Sequence, residues 1–136
     1  LFYHSDMKFS ILIQGAPYSS QAAYSAYHFT KAALENGHQV YRVFLYQDAI
    51  NIGTRLATPP QDEFNVFSAW QTLQADYKID VVTCIAAAAR RGLLDQAEAK
   101  RHEKDAHNLF EGFALSGLGQ LADAHLNSDR LISFGA

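Results

Sequence analysis

One cysteine in 136 residues excludes an internal disulfide and any two-cysteine redox cycle within the chain. No apolar run approaches the length needed to span a bilayer, and the first residues lack the charged-then-apolar order of a secretory signal. A cytoplasmic location is therefore expected. Eleven Lys and Arg against fourteen Asp and Glu leave a net charge of -3, without the basic footprint that a phosphate backbone demands. Direct nucleic-acid binding is not expected.

Three familiar site patterns are missing. The phosphate loop G-x-x-x-x-G-K-[ST] is absent, and so is the nucleophile elbow G-x-S-x-G around Ser116. The six histidines, at 4, 28, 38, 102, 107 and 125, include no H-x-x-x-H pair that would set two imidazoles on one helical face. Neither a metal nor a nucleotide cofactor is expected. Gly117-Leu118-Gly119-Gln120-Leu121-Ala122 fits G-x-G-x-x-A, but the 14 residues after Ala122 leave no room for the second strand and its acidic ribose ligand. Tight helix packing is the better account of those glycines. Glu98 and His102, four apart, read as a solvated helix-surface pair.

What is present is the composition of a packed domain, 49% hydrophobic and 18% charged. The length suits one such domain, over 7–136. Leu1 to Asp6 has no period and reads as a vector remnant or an upstream extension.

Short branched runs at 8–14, 40–45, 79–85, 113–115 and 130–134 predict five strands. Between the first two, Ala23, Ala26, Tyr27, Thr30, Ala33 and Leu34 recur at helical spacing; Ser19 or Ser20 is the expected cap, and Asn36-Gly37 the left-handed end. The stretch 47–61 reads as a long loop with at most a helical turn. Phe64, Phe67, Trp70, Leu73 and Tyr77 predict a helix over 62–77 whose aromatic face suits core packing first and a subunit interface second. The polar segment 95–108 suits a solvated helix, and Ser116 a cap for the helix through Leu126. Strands alternating with helices imply an α/β fold: a single doubly wound domain, a mostly parallel sheet of about five strands and helices on both faces.

In such a fold chemistry gathers at the carboxyl ends of strands, and Cys84 lies at one. A lone cysteine beside Val82 and Ile85 is also what an inert core position looks like. Small alanines follow it, and Arg90 and Arg91 bring positive charge within a few residues, which favours thiolate. Either arginine also suits an ordinary surface. The residues alone leave both readings of Cys84 open.

The stretch Val81-Val82-Thr83-Cys84-Ile85-Ala86-Ala87-Ala88-Ala89-Arg90-Arg91-Gly92 resembles the DsrE family of sulfur-transfer proteins, most closely its TusD branch. Phe9 to Tyr18, Asp62 to Gln71 and Phe113 to Gly119 resemble it too, so the likeness runs from Met7 to Phe134. It implies the same fold, a persulfide carried on Cys84, and assembly with TusB-like and TusC-like subunits into a heterohexamer. It further implies a TusA-like sulfur donor, a TusE-like acceptor, and 2-thiolation of transfer RNA wobble uridine as the destination. Other readings are a DsrE-type subunit of dissimilatory sulfur oxidation, a non-catalytic structural subunit with a buried cysteine, and a homo-oligomeric binding module.

Overall fold

A computed structural model describes residues 6–135; the expectation for Leu1 to Asp6 falls, but for Asp6, outside them. Five strands form, β1 (Lys8–Ile13), β2 (Gln39–Leu45), β3 (Val81–Cys84), β4 (Phe113–Ser116) and β5 (Arg130–Phe134). The helices are α1 (Ala22–Glu35), α2 (Val66–Tyr77), α3 (Ile85–Arg90), α4 (Gln96–Arg101) and α5 (Gly119–Leu126). All pairings are parallel, in the order β4-β3-β2-β1-β5.

That order explains the layers. The steps from β1 through β2 and β3 to β4 all move one way along the sheet, whereas β4 to β5 returns past β1. Right-handed crossovers therefore put α1 to α4 on one face and α5 on the other. The expected doubly wound layer is present, with α5 alone covering its face near β1, β2 and β5.

The core is made by the strands and the helix faces that meet them. Ile11, Ile13, Val43, Phe44, Leu45, Val81 and Val82 are buried, and α1 presents Ala22, Ala23 and Ala26 close to the sheet. Of the aromatic face predicted for 62–77, Phe67, Trp70 and Leu73 pack inside, but Phe64 and Tyr77 are about half exposed. The helix begins only at Val66, because the Asn65 side chain accepts the Ser68 amide and fixes the cap there. The predicted loop at 47–61 contains a 3-10 turn, Gln47–Gly53, whose Ile50 and Ile52 are fully buried.

Other boundaries shift for local reasons. The segment 95–108 is helical only over Gln96–Arg101, closing at Glu103 in a left-handed conformation (φ 57°). Glu98 is buried rather than solvated, bonded to Arg101 and 3.7 Å from His102. Ser116 is the last residue of β4 and caps nothing; Leu118 stands at the α5 cap. Gln21 occupies the α1 cap position, while the Ser20 hydroxyl accepts the Ala22 amide. Asn36 and Gly37 (φ 83°) end α1 as expected.

One polar knot ties α5 to the sheet. Arg42 donates to Asp80 at 2.7 Å, Asp123 at 2.9 Å and the Gln120 carbonyl at 2.8 Å, while the Tyr41 hydroxyl reaches Asp123 at 2.7 Å. The arginine side chain is only 11% exposed, but its carboxylate partners are more than 40% exposed and so screened by solvent. Arg42→Ala should cost about 1–2 kcal/mol in urea unfolding. The Tyr41 hydroxyl first, and then Arg42, hold Asp123 below its ordinary value of 3.8. A depressed carboxylate stabilises the fold above its unfolded value and stops doing so as pH falls through the folded one. The stability gap between wild type and Asp123→Asn should thus be full at neutral pH and close below about pH 4.

Candidate functional site

β3 passes into α3 with no intervening residue: Cys84 is at once the last strand residue and the α3 cap position. Its extended backbone (φ -60°, ψ 118°) ends the strand, and the four alanines after Ile85 favour the helix that follows. The side chain makes no capping hydrogen bond. Parallel register sets Cys84 beside Ser116 and Val82 beside Ala114. By strand alternation these four share the α5 face, and Ala114 is exposed because α5 does not extend over β4.

The thiol is 4% exposed and sits within the main apolar cluster. Two residues on, Ala86 is exposed, so the first turn of α3 reaches solvent. Thr83, on the opposite face of β3, buries a hydroxyl for which no hydrogen-bond partner is present among the described residues.

The predicted arginines do not meet the sulfur. A six-residue helix rises about 9 Å, which sets Arg90 and Arg91 at the far end of α3. Arg91 bonds Asp48 at 2.7 Å and the Ala87 carbonyl at 3.1 Å, tying α3 to the 3-10 turn, and Arg90 is exposed. Arg91 is a structural residue here and Arg90 a surface one, so the positive charge expected beside Cys84 is placed elsewhere. Gly117 and Gly119 are corrected as well: an added Cβ would meet nothing within 4 Å at either, so close packing does not require them.

Gly15, in the turn after β1, is different. A Cβ there would collide with the Ser20 hydroxyl and approach the Ala22 methyl at 2.9 Å. Gly15→Ala should destabilise by about 1–3 kcal/mol in denaturant unfolding, since the loop must shift to admit the methyl group.

The same edge of the sheet holds a feature that the periodicity did not reveal. Tyr18, Tyr24, Phe64 and Glu63 line a cavity of about 320 Å³ between the starts of α1 and α2. Helical spacing puts Phe64 on the core face of the predicted helix, whereas it stands exposed before α2, and Tyr18 in its loop belongs to no periodic pattern. Among the described residues no cluster of three or more His, Cys, Asp or Glu has metal-site geometry. No helix there is long and apolar enough to cross a membrane.

A parallel α/β domain with one thiol where a central strand meets a helix defines the class. The chain belongs to the DsrE/DsrF-like family, whose profile matches residues 7–134. It is 51% identical over 129 residues to DsrE of Allochromatium vinosum, covering 95% of this chain and 99% of that protein. It is 44% identical to the sulfurtransferase TusD homolog of Vibrio vulnificus and 42% identical to the sulfurtransferase TusD of Yersinia pestis, covering in each case 96% of this chain and 99% of the relative. Sulfurtransferase is the activity class of these TusD relatives, and it is the class of this chain. The crystal structure of the ychN protein from E. coli superposes with a TM-score of 0.76 at 24% identity, over 94% of this chain and 99% of that one, and shares its fold.

Proposed function

We propose that Cys84 is the sulfur carrier of this chain, holding a transient persulfide that passes from one protein to another. The observation that supports this most directly is the position of the lone thiol, at the carboxyl end of a central strand in a sulfurtransferase of this family. Cys84 thiolate attacks the outer sulfur of a donor persulfide, the donor S–S bond breaks, the donor leaves as thiolate, and Cys84 retains S–SH with its proton. An acceptor thiolate then attacks that outer sulfur and regenerates Cys84 thiolate. One S–S bond replaces another at each step, so the protein supplies access, alignment and docking.

The relay operates in the cytoplasm, within a heterohexamer of TusB-like and TusC-like partners, between a TusA-like donor and a TusE-like acceptor, toward 2-thiolation of wobble uridine. The TusD relatives at 40–44% identity support this destination. A second destination, sulfur oxidation by a DsrE-type assembly, is favoured by the 51% identity to the Allochromatium protein. Restoration of 2-thiouridine to the transfer RNA of a strain lacking its own TusD would support the first destination; unrestored thiolation, with the protein expressed and assembled, would exclude it. Light scattering of the chain mixed with TusB-like and TusC-like proteins tests the assembly, which is refuted by a homo-oligomer that ignores both.

A further inference from the structure

We infer that the cavity between the starts of α1 and α2 is a binding subsite for a cationic side chain, arginine or lysine, on a protein that docks over the carboxyl edge of the sheet. Tyr18, Tyr24 and Phe64 expose 52%, 45% and 44% of their surface around it, an unusual concentration of uncovered aromatic rings. Glu63 is the only charged residue in its lining, and Asp62 precedes it on the exposed loop. Ring faces carry negative electrostatic potential, and with a carboxylate at the rim they form the environment that a guanidinium or ammonium group prefers.

The pocket is held open by its own bonds. Tyr18 adopts a left-handed backbone (φ 68°), uncommon for a tyrosine, and its hydroxyl donates to the Phe64 carbonyl at 2.7 Å. Tyr24 meets Phe64 edge to face with centroids 5.3 Å apart. Behind them, the Trp70 indole donates to the Ala23 carbonyl at 3.0 Å and fixes α2 against α1. The same aromatic cluster already attracts a cation within the chain, since the Lys31 ammonium lies 6.0 Å above the Tyr27 ring. Helix starts ordinarily favour anions, but here the Ser20 hydroxyl accepts the Ala22 amide and Asn65 the Ser68 amide. Glu63 then decides the sign of the ligand.

Position suggests the partner. α1 and α2 start from the edge at which β3 ends, and the β1 turn stands two strands from Cys84, on the order of 10 Å across the sheet. A protein that exchanges sulfur with Cys84 lies over this edge and can place a basic side chain in the pocket. This identification of the partner rests on the relay reading; the cationic subsite does not.

The direct test is an NMR titration of the full chain with N-acetyl-L-argininamide and its neutral isostere N-acetyl-L-citrullinamide, following the ring signals of Tyr18, Tyr24 and Phe64. Saturable shifts with the cation are expected, weakened about two- to fivefold in Glu63→Gln and again in Tyr24→Leu. Equal affinity for the neutral isostere, preference for N-acetyl-L-aspartate amide, or no shift overturns the subsite. Glu63 is exposed, so Glu63→Gln should fold normally. A kinetic arm tests the partner: Glu63→Gln should raise the half-saturating concentration of a persulfide-loaded TusA-like carrier about threefold, leaving loading by glutathione persulfide unchanged. Unaltered carrier saturation refutes the docking role, whereas failure of glutathione persulfide to load Cys84 refutes the relay reading alone.

Discussion

Incubated with a persulfide donor, the wild-type chain should gain the mass of one sulfur atom, lose it to a thiol reductant, and show neither change as Cys84→Ala. The choice of variant matters, because Cys84 is 4% exposed within the apolar cluster. A serine would bring a hydroxyl into this apolar surrounding, and a hydroxyl buried unpaired costs about 1–3 kcal/mol. Alanine only removes the sulfur, at a cost of about 1 kcal/mol for the small void. Loss of loading in Cys84→Ala with a retained fold therefore isolates the thiol chemistry. If that variant still acquires a labile sulfur, the carrier lies elsewhere and the relay proposal fails.

The largest loss of stability is expected from Trp70→Ala. The indole is fully buried, packs edge-on against Tyr27 at 5.9 Å and donates to the Ala23 carbonyl. Truncation of a buried tryptophan costs about 3–5 kcal/mol, and loss of the indole hydrogen bond adds about 1 kcal/mol. A domain of this size has only about 5–15 kcal/mol in total. Thermal unfolding should move down by 10 °C or more, on the order given by the entropy of unfolding. Trp70→Phe, which keeps most of the volume but not the donor, should lose about half as much. A shift of less than a few degrees in Trp70→Ala would show that α1 and α2 do not depend on this contact.

The strands were legible because their residues carry the signal themselves. Phe9 to Ile13 and Val40 to Leu45 are short, mostly apolar runs, as parallel strands covered on both faces require, broken by Ser10, Tyr41 and Arg42. Helix starts were read less well where a capping side chain chose among neighbours: Asn65 moved α2 inward, and Leu118 took the place expected for Ser116. Ile50 and Ile52 gave no period because a single 3-10 turn is too short to show one. Within the site, the placement of Cys84 at a strand end could be read locally. Its neighbour Ser116 could not, since register between β3 and β4 depends on residues thirty apart. The aromatic pocket was invisible for the same reason, being assembled from the β1 turn and the approach to α2.

The direct passage of β3 into α3 has a mechanical consequence. A cysteine on a flexible arm can swing between a donor and an acceptor, but Cys84 has no loop of its own, and its helix is tethered at the other end through Arg91 to Asp48. Its sulfur is a stationary post at the rim of the sheet. If Cys84 carries the sulfur as proposed, this tether leaves the approach and withdrawal to the proteins it exchanges with.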